Sequence, residues 1–175
     1  GKVEIDLRDV NNHGFILNQS TNVHVTGTGS SLHEYGFEIY RSPDDISKTG
    51  MAISDMISDI ELDHIEIHDL ELGLHLLNVP DCNEETWREN WTMENVSVHD
   101  FYIHDVGNEG FYIGSSKYSG GHTTTCDGQT LQLLPPLIKH IKVYDNEISN
   151  SGWDAMQVSC AVEDCRIYNN RAVNW

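Results

Sequence analysis

Ile60-Glu61-Leu62, then Ile67, then Gly73-Leu74-His75-Leu76: in this stretch apolar residues alternate with polar ones in short bursts, and its reading decides the whole chain. Alternation with a period of two is what a half-buried strand requires. The pattern recurs. Val3-Glu4-Ile5, Val23-His24-Val25, Val96-Ser97-Val98, Ile141-Lys142-Val143 and Cys165-Arg166-Ile167 begin further copies. Five residues after the second apolar member stands another apolar residue, Val10, Ile67, Ile103, Ile148 or Ala172, with Ser30 in that place of the Val25 copy. A third burst follows, often led by glycine: Gly14-Phe15-Ile16-Leu17, Gly36-Phe37-Glu38-Ile39, Gly73-Leu74-His75-Leu76, Gly110-Phe111-Tyr112-Ile113 and Ala155-Met156-Gln157-Val158.

Three strands per copy make a triangular coil, and a minimal repeat of about 20 to 24 residues fits a solenoid. A leucine-rich repeat would supply a helical segment per turn, and helical periodicity is almost absent. A β-sandwich also has regular short strands, but they need not recur as matched triplets. The chain therefore reads as one all-β solenoid segment over residues 1–175, with about six coils. Stacking places Asp100, Asp145 and Asn169 at one corner and Asp69, Asp105, Asn150 and Asn174 at the next, where side-chain ladders can satisfy turn amides. The last copy stops at Trp175 after its second strand, so further coils or a capping domain are expected beyond it, because solenoid ends need caps.

Composition narrows the partners. The 175 residues include 28 acidic against 10 basic side chains, a net charge of −18, which opposes nucleic acid and anionic membranes through long-range repulsion. No stretch approaches the roughly 20 apolar residues of a membrane span. Cys82, Cys126, Cys160 and Cys165 include no C-x-x-C pair of zinc or redox type. A Cys82–Cys126 bridge is one candidate disulfide and Cys160–Cys165 another, with Cys165 as a buried apolar residue the alternative. The sequons at Asn18, Asn90 and Asn95 occur at chance frequency and say little about compartment.

The aligned residues resemble the right-handed parallel β-helix superfamily of pectate lyases, polygalacturonases and related surface proteins, over nearly the whole chain. The resemblance implies a three-sheet, right-handed parallel β-helix, secreted or at the cell surface. Asn108-Glu109-Gly110-Phe111 and Trp153-Asp154-Ala155-Met156 are similar to polygalacturonase motifs, which implies an acid role for Asp154 and a partner role for Glu109. The tandem aspartate is reduced to one, and the later Gly-His-Gly and Arg-Ile-Lys motifs are missing. Independently of the resemblance, Glu109 and Asp154 stand at equivalent places in adjacent coils, and paired carboxylates are what glycoside hydrolysis generally uses.

Insertions near 41–56, 78–92 and 115–137 all leave after the third strand in this alignment, so they share one corner and wall a groove. One face beside them carries Glu38, His75, Tyr112 and Gln157. The other carries Glu61, Ser97, Lys142 and Arg166, with Asp63, His99, Tyr144 and Tyr168 further out. Repeating at about 4.8 Å per coil, such rows can lie along a polysaccharide. A lyase would draw on Lys142, Arg166, His99 and Tyr144. No cofactor is expected; Ca2+ would have Asp63 and Glu61 as oxygen ligands, without a calcium-loop motif. His64, His68, His99 and His104 are read as solvated outward residues that hydrogen-bond along the stack, and no metal is assigned to them. The expected function is an extracellular polysaccharide-binding or polysaccharide-degrading protein, with turnover undecided; the alternative is a noncatalytic adhesion or structural solenoid module.

Overall fold

The computed structural model describes residues 1–8, 13–28, 31–41 and 48–175. These residues are all-β, with a single 3-10 turn at Glu84–Thr86. Apart from one hairpin, every strand pairing among them is parallel. Successive rungs lie in register along three main ladders, termed the first, second and third sheets, and a short ladder through Met93, Ile138 and Ala161 precedes the first; this is compatible with a β-solenoid. In the first sheet Val25 pairs with Leu62, Leu62 with Val98, Val98 with Val143 and Val143 with Ile167. In the second, Ile5, Ile39, Ile67, Ile103, Ile148 and Ala172 form one continuous ladder. The third runs through Phe15, Met51, Leu74, Phe111 and Met156.

Alternation explains the core. Inward residues of the three sheets meet in one cluster that includes Ile39, Leu62, Ile67, Leu74, Val98, Ile103 and Phe111. Phe101 of the second sheet meets Phe111 of the third edge to face at 5.6 Å. Burial of this apolar surface, at about 25 cal/mol per Å², is the main driving force for stacking.

The corners are sharp because single residues take the left-handed conformation. Asp69, Asp105, Asn150 and Asn174 do so at one corner, with φ between 53° and 55°. His64, Asp100, Asp145 and Asn169 do so at another, Asn22, Asp59, Asn95, His140 and Asp164 at a third, and Gln19, Asp55 and Cys160 past the third-sheet strands. Asn and Asp tolerate this region better than other non-glycine residues. The expected side-chain ladder is present: Asn150 donates to Asp105 at 3.0 Å, and Asn174 donates to Asn150 at 3.1 Å. Buried Asn146, standing where Phe101 stands one rung earlier, accepts from the Phe101 amide at 3.0 Å and donates to Val98 and Asn170.

Glycine leads the third strand for a steric reason. A Cβ at Gly73 would lie 2.4 Å from the Gly110 carbonyl oxygen and 2.8 Å from Ile103 Cγ2.

The N-terminal phase differs from the sequence expectation. Val3-Glu4-Ile5 belongs to the second sheet, paired with Phe37–Tyr40, so Gly36-Phe37-Glu38-Ile39 is a second-sheet strand. The third strand of that rung is Thr49–Ser54, inside the segment expected to be an insertion. An apolar-polar-apolar triplet looks the same in each sheet, and Gly36 imitated the leading glycine that Gly50 supplies. The first insertion therefore leaves after a second-sheet strand, and only the other two share the third-strand corner. Val10, Ser30 and residues 42–47 lie outside the described residues.

Candidate functional site

The outward side of the first two sheets carries separate clusters of histidines and carboxylates. His68 Nδ1 lies 2.7 Å from Asp69 and its Nε2 2.9 Å from Glu38. One rung on, His104 Nδ1 lies 2.7 Å from Asp105 and its Nε2 3.4 Å from Glu66. Lys2 joins Glu38 at 3.0 Å and Glu66 at 2.9 Å. The hydrogen bond from His104, with further help from Lys2, holds the Glu66 carboxyl down to about 2. Rings stack through this network, with Tyr40 on His68 at 5.3 Å and His68 on His104 at 4.7 Å.

Around the corner, buried Asp63 takes Thr26 Oγ1 at 2.5 Å, His64 Nδ1 at 2.6 Å and a close contact from His24 Nε2. His99 bridges Asp100 at 2.7 Å and Glu61 at 3.0 Å. Burial depresses the His99 pKa, but the bonds to Asp100 and Glu61 outweigh it and raise the imidazole above its ordinary value. The histidines do hydrogen-bond along the stack. They are not freely solvated, however, since the side chains of His68, His99 and His104 are only 11–17% exposed.

Lys142 and Arg166 are adjacent outward residues of the first sheet, and Arg166 Nε is held by Asp164 at 2.9 Å. His99, Tyr144 and Tyr168 stack at 4.5 and 5.0 Å. Tyr144, sandwiched between two rings, offers its edge to a ligand, whereas exposed Tyr168 at the end of the row has only one face in the stack. Burial, then neighbouring Tyr168 and carboxylates, push the Tyr144 phenol pKa up, which makes it a weak candidate for a base.

The third sheet is different. Its outward row is Ile16, Ala52, His75, Tyr112 and Gln157, without a carboxylate, lysine or arginine. Glu38, expected in this row, lies on the second sheet opposite Glu66. His75 meets Tyr112 edge to face at 5.2 Å, and burial, with His13 nearby, lowers its pKa so that it stays neutral. Tyr112 donates to Ser116 Oγ at 2.8 Å. Burial pushes the Tyr112 phenol up, but the bonds from Ser116 and the nearby Gln157 amide outweigh it. Gln157 Nε2 nevertheless has no hydrogen bond of good geometry, and neither have His13 Nδ1, Asn78 Nδ2 and Ser159 Oγ, all on this sheet or at its downstream end.

Glu109 and Asp154 occupy equivalent places one rung apart: Gly73 donates to the Glu109 carbonyl and Gly110 to the Asp154 carbonyl, both at 3.2 Å. Their environments differ, because Glu109 is buried and Asp154 is exposed beside Trp153.

The two insertions at the third-strand corner are fastened to each other. Cys82 and Cys126 form a disulfide with Cα atoms 5.5 Å apart. Arg88 donates to the Pro135 and Tyr118 carbonyls at 2.8 and 2.7 Å and lies over the Tyr118 ring at 4.6 Å. The later insertion is stiffened by the antiparallel hairpin His122–Cys126 and Gln129–Leu133. Between them opens a cleft of about 520 Å³, lined by Glu84, Trp87, Glu89 and Asn90 on one side and Gln132, Leu133 and Leu134 on the other. Trp87 Nε1 donates to the Asp81 carbonyl at 2.9 Å, which fixes the indole. The candidate Cys160–Cys165 bridge does not form: after the left-handed turn at Cys160, Ala161–Glu163 extends along Ile138 and Lys139 and carries Cys165 away. Cys165 is exposed, against the expectation of a buried residue, whereas Cys160 is buried.

The cleft residues had no repeat partner to reveal them. In the sequence, their only sign is Trp87 between Glu84 and Glu89, inside a loop expected to wall the groove. Among the described residues no helix is long and apolar enough to cross a membrane. Compared with protein-family models, curated proteins and solved structures, the chain finds no match in any of the three.

Proposed function

We propose that the chain folds as a right-handed parallel β-helix that binds a neutral polysaccharide in the cleft between its two fastened insertions. The observation that carries this reading is the lining of that cleft. A fixed indole, carboxylates and amides stand on two walls joined by a disulfide and by Arg88. Aromatic rings bury the apolar faces of sugar rings, while carboxylates and amides pair with hydroxyls. Glu89 makes no hydrogen bond or ion pair with another described residue, so its oxygens remain available. Glu84 and Glu89, on a chain of net charge −18, disfavour uronate-rich polymers. Joining the walls in advance lowers the ordering cost of binding. The disulfide also fits an oxidising compartment, hence a secreted or surface location.

Calorimetry with neutral and uronate-containing oligosaccharides tests this. The wild-type chain should bind neutral oligosaccharides in preference to uronates. Trp87→Ala should weaken binding about tenfold or more. Because Trp87 also braces its loop, Glu89→Gln at an exposed position provides the second reading and should weaken binding severalfold. Failure to bind any neutral oligosaccharide, or full affinity in both variants, would overturn the proposal.

A further inference from the structure

We propose that His68, His104 and Glu66 bind a divalent transition ion of the zinc class on the second sheet, separately from the glycan cleft. One ligand atom from each lies within 4.8 Å of the other two. His68 and His104 are direct partners across adjacent strands, and Glu66 pairs with Glu38 in the same sheet. Register therefore fixes the backbone, and side-chain torsions alone have to close the site. Zinc–nitrogen and zinc–oxygen bonds of about 2.1 Å place tetrahedral ligand atoms about 3.4 Å apart. The His104–Glu66 pair is already at 3.4 Å.

The imidazoles are oriented as metal ligands usually are. Asp69 and Asp105, each following its histidine at a left-handed corner, take the Nδ1 position at 2.7 Å. A hydrogen bond held there fixes ring direction and leaves Nε2 as the atom that can exchange its proton for a metal. Those Nε2 atoms lie against Glu38 and Glu66, and without metal a proton bridges each ring to its carboxylate. An ion that takes the place of those protons is ligated by both imidazoles and the carboxylate, so binding releases protons. Glu38 offers a fourth donor, a carboxylate oxygen 2.9 Å from His68 Nε2. Two imidazoles with carboxylate select Zn2+, Ni2+ or Cu2+ over Ca2+ and Mg2+, which favour all-oxygen sites. The second histidine and carboxylate group, His24, Glu61 and Asp63, has one imidazole, and its Asp63 is already occupied by three donors.

Lys2 is the built-in competitor, because its ammonium bridges Glu38 and Glu66. An ion displaces that ammonium, which gives the proposal a signature unlike general surface binding.

The test uses the whole chain, freed of metal with a chelator and titrated with zinc chloride by calorimetry. One ion per chain should bind in the micromolar range. His68→Ala and His104→Ala should each weaken it at least tenfold, Lys2→Met should tighten it, and His24→Ala should leave it unchanged. Should the alanine variants unfold, copper(II) bound to the wild-type chain should show coupling to two imidazole nitrogens by electron paramagnetic resonance. The absence of stoichiometric binding, zinc affinity unaffected by both histidine substitutions, or ring resonances of His68 and His104 that do not move on zinc addition would each overturn the site. The last result would mean that a proton, not a metal, lies between ring and carboxylate.

Discussion

The first and second sheets and the third share one interior but present opposite exteriors. Inward, each is a ladder of aliphatic and aromatic residues stacked in register. Outward, the first two sheets pair histidine with carboxylate on their early and middle rungs and arginine with carboxylate on the last. The third sheet displays Ile16, Ala52, His75, Tyr112 and Gln157, and buried polar atoms on it and at its downstream end lack partners. A solenoid fixes only its inward positions, so its faces are free to diverge. A face whose polar groups pair with one another contributes stability. Unpaired buried groups cost stability, and such a cost is tolerated most readily near sites where a ligand or water arrives.

The largest consequence falls on the charged side. Asp63 is buried and is the shared acceptor for Thr26, His24 and His64. Asp63→Ala removes all three interactions and leaves their donors to find water, at a cost of about 2–3 kcal/mol. Urea denaturation at neutral pH measures it. A loss below about 0.5 kcal/mol, the range of ordinary surface substitutions, would mean that the network is ornamental and the contrast between faces empty. The carboxyl is also held below its ordinary value by these bonds, which outweigh burial. Its contribution is therefore complete above the unfolded pKa of 3.8 and lost as pH falls through the lower folded value.

A smaller effect has opposite signs on the two sides. The His99 pKa is raised above 6.5, so its contribution is complete below that value and disappears as pH rises through the folded pKa. The His75 pKa is lowered, so its contribution is complete above 6.5 and is lost as pH falls towards the folded value. His99→Gln should flatten the decline in stability on the alkaline side, and His75→Gln the decline on the acid side. Ring resonances followed by NMR should show His99 titrating above and His75 below the ordinary range. Titration of both on the same side would dissolve the distinction.

Much of this was legible in the sequence, and its failures have physical causes. From Ile60 onward the three ladders, the glycine lead and the corner Asp and Asn residues follow from a period-two pattern whose phase is anchored by repetition. Before Ile60 the anchors are fewer. Phe37-Glu38-Ile39 satisfies the pattern on either the second or the third sheet, so only pairing with Val3–Asp6 and Ile65–Ile67 settles it. That slip carried Glu38 to the wrong face. The Cys82–Cys126 bridge was inferable because both residues lie in loops at one corner. Asn146, an inward polar residue, breaks the alternation, and its justification, three hydrogen bonds to neighbouring rungs, is not encoded in the local sequence. Distances between histidine nitrogens and carboxylates depend on rotamers, and spacing along the chain does not encode them.

The smallest change in stability gives the sharpest test of the contrast. Gln157 Nε2 is buried without a hydrogen bond, although its amide approaches the Tyr112 hydroxyl. Keeping an unpaired donor out of water costs about 1–3 kcal/mol, whereas an apolar group of similar shape avoids that cost. Gln157→Leu should therefore leave stability within about 0.5 kcal/mol of wild type or raise it slightly, although it deletes an amide from the last strand of the third sheet. The same kind of deletion at Asp63 should be costly. If thermal unfolding shows Gln157→Leu losing as much as Asp63→Ala, the amide is satisfied in solution, and the third face is as self-sufficient as the other two. If the variant holds its stability, the amide is kept for something other than folding, and its place on the third sheet, whose corner carries the two insertions, points to ligand contact as the reason.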